Sequence, residues 1–350
     1  MKLPVLLSLL LLPSFGAAQA SPKTAAPAPA AAPVDPYQAA LEQLKNADPM
    51  IRRQGAGTLG QLRRPESVEP LLALLSDENA FVRSMAADSL GMLHSPKAVG
   101  PLCWMLSAEK DPAVRQSAVT ALAYLGDPAS ADALIGALSD SSAGVRYAAA
   151  RTLGSLRALK ATPTLVQALS DKDAGMRRTA AAALGQLQAR EGLDALKVRL
   201  SSDTDANVRS EAVKALGVID GAGSLPALTG ALADGEPSVR LQAALALGAM
   251  GNSAGLPVAL DALKSGQTVV RQQAASALGL IGDAAKALPA LDAALAVEKD
   301  ANTRSVIEFG RSQLTSRLGI KSAPAPAKPA AAKPAAKPKT QPPAVRGTSK

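Results

Sequence analysis

The chain has one cysteine, Cys103, and one histidine, His94. A disulfide within it is therefore impossible. A zinc site built from Cys and His, which normally takes four ligands, lacks its donors, so no metal is expected. Aromatic residues make up 2% of the sequence. Beyond Phe15 they are Tyr37, Phe81, Trp104, Tyr124, Tyr147 and Phe309. A sandwich or barrel core draws on β-branched and aromatic side chains, so an all-β architecture is excluded. Ala and Leu dominate instead, and both favour helix. The expected core is helix against helix at close distance.

Long apolar runs are also scarce. The one at the start, Leu3 to Leu12, follows Lys2 and precedes Ala18-Gln19-Ala20. This is the pattern of a signal peptide over residues 1–20 with cleavage after Ala20. It is too short to span a bilayer comfortably, and no cysteine follows it to carry a lipid. An exported protein, periplasmic or secreted, is expected. Residues 21–36 form an Ala/Pro-rich linker.

The net charge of +9 is unevenly spread. Residues 321–350 carry seven basic side chains and no acidic one. Their proline and lack of apolar surface exclude a packed fold, so a disordered basic tail is expected. It could meet anionic envelope surfaces. Residues 37–320 are left near neutrality. A basic groove for nucleic acid is not expected there, and few aromatics exist to stack on bases.

What the sequence does contain is repetition. "VRYAAARTLG" (145–154), "VRLQAALALG" (239–248) and "VRQQAASALG" (270–279) are variants of one phrase. Its arginine falls at Arg52, Arg83, Arg115, Arg146, Arg177, Arg209, Arg240, Arg271 and Arg304, spaced by 31 to 33 residues. Such a period marks a stacked array. An apolar residue precedes the arginine in eight copies, with Thr303 in the ninth. In eight copies a small residue stands three after it and Leu seven after it, so one helix face recurs. Gly follows that Leu in seven copies, from Gly60 to Gly279. Upstream, a second apolar face closes on Leu44, Leu75, Leu106, Leu138, Leu169, Leu200, Leu232, Leu263 and Leu295. Asp48-Pro49, Asp111-Pro112 and Glu236-Pro237 read as helix caps with proline at the first helical position, and Asp173 and Asp205 as caps without it. "LGDPAS" (125–130) and "GDAAK" (282–286) read as short loops between repeats. Each unit is thus helix, turn, helix, and one pair cannot bury both of its apolar faces without a neighbour.

On this pattern, "DP.VR..A..ALG.L", residues 37–318 resemble HEAT repeats of the short type named after phycobilisome lyases. The resemblance implies an all-α solenoid, a superhelix of about nine repeats, with second helices on the concave side. It also brings two enzyme classes. One is the bilin lyases, and a lyase-type accessory is the alternative function here. The other binds di-iron through His-Glu pairs, which a chain with one His cannot supply.

Six residues before the arginine stands an acid in seven copies: Asp77, Glu109, Asp140, Asp171, Asp203, Asp234 and Glu298. Asn46 and Ser265 depart. A matched acid at fixed offset points to a structural ladder, as ion pairs or loop caps, within a repeat or bridging to the next, since the guanidinium fork suits carboxylates and carbonyls. Its members are read as Asp77, Arg83, Asp140, Arg146, Asp171, Arg177, Asp203, Arg209, Asp234 and Arg240. The rival reading, a phosphate ladder, would need unpaired arginines.

Positions one, two and five after the arginine are expected outside the core: Gln116, Ser117, Thr120, Tyr147, Ala148, Arg151, Arg178, Thr179, Ser210, Glu211, Lys214, Gln242, Gln272 and Gln273. Tyr147, Arg151, Arg178 and Lys214 form the candidate partner-binding patch, because Tyr and Arg are common interface anchors. His94, Cys103 and Trp104 lie close in sequence, but Cys103 and Trp104 sit in an apolar helical run and read as buried packing. No catalytic residue and no cofactor is expected. The function that fits best is a non-catalytic scaffold or adaptor whose inner face holds another protein.

Overall fold

A computed structural model describes residues 35–281 and 283–320. The expected signal peptide, nearly all of the linker, and the basic tail lie outside the described residues. Within them, eighteen α-helices form nine antiparallel pairs, and no strand occurs. The first helices are Pro36–Gln43, Val68–Ala73, Val99–Ala108, Ala131–Ala137, Thr162–Ala168, Leu193–Ser202, Leu225–Gly230, Leu256–Ala262 and Ala284–Val297. The second helices are Pro49–Leu62, Ala80–Leu93, Pro112–Leu125, Ala143–Ser155, Ala174–Leu187, Ala206–Asp220, Pro237–Ala249, Thr268–Ile281 and Ala301–Arg317. The architecture is an all-α solenoid.

The helix boundaries follow from local chemistry. Asp48, Asp111, Asp173 and Asp205 each accept a hydrogen bond from the backbone N–H two residues on, at 2.8 Å. Asn79 does the same for Phe81 at 2.9 Å. These side chains satisfy donors that the first helical turn leaves orphaned. Glu236 departs from the expectation: it occupies the cap position but makes no side-chain cap bond. Pro237 has already removed one orphan donor there. Six second helices end in a left-handed residue eleven positions after the arginine, at Arg63, His94, Gly126, Arg157, Gln188 and Gly251. The expected loop at 125–130 contains a 3-10 turn, Pro128–Ser130, leading into the next first helix.

The repeated leucines are the core. Leu59, Leu90, Leu122, Leu153, Leu184, Leu216, Leu247 and Leu278 are fully buried, as are Leu71, Leu102, Leu134, Leu165, Leu196, Leu228 and Leu291. Small residues set the approach distances. A Cβ on Gly55 would stand 2.8 Å from the Ala40 carbonyl of its own first helix. A Cβ on Gly91 would stand 2.9 Å from Ala121 Cα in the next second helix. The position three after the arginine thus closes a pair, and the glycine eight after it closes the stack. Second helices pack directly on one another along the whole array, whereas first helices mostly meet their own partner. The second helices therefore form one continuous layer, the one that the family resemblance implies lines the inner face.

Two expectations about the core change. Ala148 is buried, because its side chain ends at Cβ and cannot reach past its neighbours. Trp104 is 67% exposed rather than buried. Leu102, Met105 and Leu106 form the inward stripe of that helix, and Trp104 falls between them on the outer side.

Candidate functional site

The arginines are held twice. Arg115 Nη1 donates to the carbonyls of Glu109 and Lys110, both at 3.0 Å, within its own repeat. Its Nε and Nη2 donate to both oxygens of Asp140 in the next repeat, each at 2.7 Å. The same fork joins Arg52 to Asp77, Arg83 to Glu109, Arg177 to Asp203, Arg209 to Asp234 and Arg271 to Glu298. The acid six positions before an arginine therefore lends that arginine its backbone carbonyl and gives its carboxylate to the preceding arginine. One carboxylate oxygen also caps the turn behind it, as where Asp77 Oδ1 accepts from Asn79 N at 2.9 Å. Each rung ties two repeats and one loop.

The electrostatics agree with this geometry. Hydrogen bonds from the arginines hold Asp77, Glu109, Asp140, Asp234 and Glu298 below the ordinary carboxylate range. At Asp203 burial pushes the carboxyl up, but Arg177 and the backbone of Asp205 outweigh it, so it is lowered too.

Two rungs differ. Arg146 does not pair with Asp171. Its Nη2 lies 3.6 Å from Asp173, and its Nε is buried without a hydrogen-bond partner. Tyr147 explains the shift: its hydroxyl reaches across the seam, over Gly175, and donates to the Asp173 carboxylate. Arg240 keeps its two carbonyls, Asp234 at 2.8 Å and Gly235 at 3.0 Å, but faces Ser265 where other rungs have an acid.

Two members of the candidate patch already have partners within the chain. Tyr147 is half-buried and engaged with Asp173, whose hydrogen bond raises the phenol's pKa. Lys214 is exposed but paired with Glu211 at 3.1 Å on its own helix. Arg151 and Arg178 are exposed on adjacent second helices. Among the described residues neither has an ion-pair or side-chain hydrogen-bond partner. Asp88, which the sequence reading passed over, also occupies this face, five positions after Arg83. Burial pushes its carboxyl up, against a hydrogen bond from Ser117 that pulls it down. Only its position in the repeat could have signalled it.

The Cys103 thiol is half-buried and pushed up by burial and by the nearby Asp127 carboxylate, so it is not an activated nucleophile. His94 is an exposed helix C-cap. No cluster of His, Cys, Asp or Glu fit for a metal occurs among the described residues. No described helix is long and apolar enough to cross a membrane.

Known proteins place this geometry in context. The chain resembles YibA of Escherichia coli at 24% identity and a TM-score of 0.50, over 74% of this chain and 96% of that one. It resembles a mutant of the protein Kap121p at 16% identity and a TM-score of 0.61, over 81% of this chain and 38% of that one. The complex of CpcE and CpcF of phycocyanin lyase from a Nostoc species aligns at 27% identity and a TM-score of 0.41, over 68% and 97%. No curated protein aligns significantly with it. The family model for HEAT repeats matches residues 37–103, 99–182, 162–238 and 228–309. Matched almost from end to end of its described helices, the chain belongs to the HEAT-repeat family.

Proposed function

We propose that this protein is an exported, non-catalytic scaffold that holds another protein against its inner face. The observation that carries the reading is the pair Arg151 and Arg178. Most of the repeat arginines in this chain are held by carboxylates, yet these two stand exposed on neighbouring second helices without partners among the described residues. An exposed guanidinium beside a half-buried tyrosine on a rigid surface is a common anchor for a protein partner. The leader-like first twenty residues support a partner in the cell envelope or outside the cell.

The test uses the full chain in its native cells. A photo-crosslinking amino acid replaces Thr179 on the inner face, or Val198 on the outer face as the control. A discrete adduct from position 179 and none from 198 is expected, lost when Arg178→Glu and Arg151→Glu are added. Equal labelling from both faces, or an adduct that survives both reversals, overturns the reading. Mass spectrometry of the purified protein should show a mature chain beginning at Ser21.

A further inference from the structure

The ladder is its own template for a ligand site. Six arginines, Arg52, Arg83, Arg115, Arg177, Arg209 and Arg271, present Nε and Nη2 to a carboxylate of the following repeat. Arg240 is fixed in the same way by two carbonyls, which leaves the same edge directed at the same place. No carboxylate meets it among the described residues. Ser265 stands in the acid's position and performs only its local duties: its carbonyl accepts from Arg271 Nη1 at 2.9 Å and its hydroxyl from Gln267 N at 3.2 Å. It has neither the charge nor the second oxygen to complete the fork.

The size of the groove marks this seam. The groove at the seam of the seventh and eighth repeats, on the side of the turns that join first to second helices, has a volume of about 620 Å³ and reaches Arg240, Lys264, Val258 and Val270. One repeat earlier the equivalent groove holds about 350 Å³ and has Asp234 in its lining. The groove at Asp171 is the same size, about 350 Å³.

We propose that this groove binds a carboxylate side chain of an extended segment from a protein partner, which completes the missing rung between Arg240 and the eighth repeat. The fork is geometrically matched to a planar carboxylate, Lys264 adds positive charge, and Val258 and Val270 accept apolar neighbours of the bound acid. Asp261 also lines the groove. Its charge opposes a phosphate dianion more than a carboxylate, which favours a peptide over a lipid headgroup. The site lies where first helices turn into second helices, at the starts of Pro237–Ala249 and Thr268–Ile281, and shares no residue with the pair Arg151 and Arg178.

The experiment titrates the peptide acetyl-Gly-Val-Asp-Val-Gly-amide into the full-length protein and follows the arginine Nε–Hε resonances by NMR. The Arg240 signal is identified by its loss in Arg240→Lys. That signal should shift with the Asp peptide, and the Asn version should need about tenfold more or worse, the loss expected for one charge-assisted bond pair. Ser265→Asp supplies the carboxylate internally. It should abolish the shift while raising the melting temperature, so lost binding cannot be unfolding. Equal response to the Asp and Asn peptides, no response up to about 10 mM peptide, or binding retained in Ser265→Asp overturns the proposal. Displacement by inorganic phosphate at lower concentration than by acetate overturns the choice of a carboxylate.

Discussion

Arg115 and Asp140 are 25 residues apart in sequence and share two hydrogen bonds of 2.7 Å across the seam between the third and fourth repeats. Their side chains are about as buried as those of the core edge, 10% and 9% exposed. Removing one partner of a buried pair leaves a charge without compensation, at a cost of about 3 kcal/mol. Asp140→Ala should therefore lower the urea-unfolding free energy by about that amount. The double variant Arg115→Met, Asp140→Leu should recover only part of it. The carbonyls of Glu109 and Lys110 lose their donor in that variant, and an apolar replacement cannot supply one.

The ladder also sets the response to acid. The six rung carboxylates have folded pKa values below their ordinary ones. The unfolded chain then binds more protons than the folded one in the acid range. Their stabilisation is complete above about pH 5 and is lost as pH falls through the folded values. Asp88 works in the opposite sense, because its pKa is raised, but it is one group against six. The urea midpoint should fall steeply below about pH 4. The loss should be shallower in Asp140→Asn, which carries one titrating rung fewer. An equal slope in the two proteins would show that the rung does not titrate with folding.

How much of this was readable from sequence depends on whether a feature repeats. Leu153 and Asp140 recur at fixed offsets, so the periodicity alone identified the helix pairs, the core leucines and the acid–arginine match. The direction of the bridge was not readable. Asp140 stands 6 residues from Arg146 and 25 from Arg115, and only the stacking geometry sends its carboxylate back to Arg115. Features that occur once were the least legible. Tyr147 appeared as a free surface aromatic, but the next repeat places Asp173 under its hydroxyl. Trp104 appeared buried because its neighbours are apolar, and the helix phase put it outside.

Leu153 is fully buried in the second helix of the fourth repeat, near the middle of the array. Leu153→Ala removes buried methylenes and leaves a cavity that neighbouring repeats fill only in part, at a cost of about 2–5 kcal/mol. Because contacts run mainly between adjacent repeats, the loss should be local. Hydrogen exchange should accelerate most in the second helices Pro112–Leu125, Ala143–Ser155 and Ala174–Leu187, and least at Ala301–Arg317. Uniform acceleration along the chain would mean that the array unfolds as one unit.

Two helical glycines separate propensity from packing. Gly91 faces the backbone of the next second helix, with 2.9 Å between its would-be Cβ and Ala121 Cα. No real Cβ sits that close to backbone, so Gly91→Ala must push two second helices apart and should cost about 1–3 kcal/mol despite better helix propensity. Gly100 lies in the first helix of the third repeat with nothing within 4 Å of its would-be Cβ. There the propensity term acts alone, and Gly100→Ala should stabilise by up to about 1 kcal/mol. Thermal unfolding of the two variants should thus shift in opposite directions. If both rose, the seam would be loose enough to absorb a methyl group, and glycine at the eighth position would not be what sets the spacing of the stack.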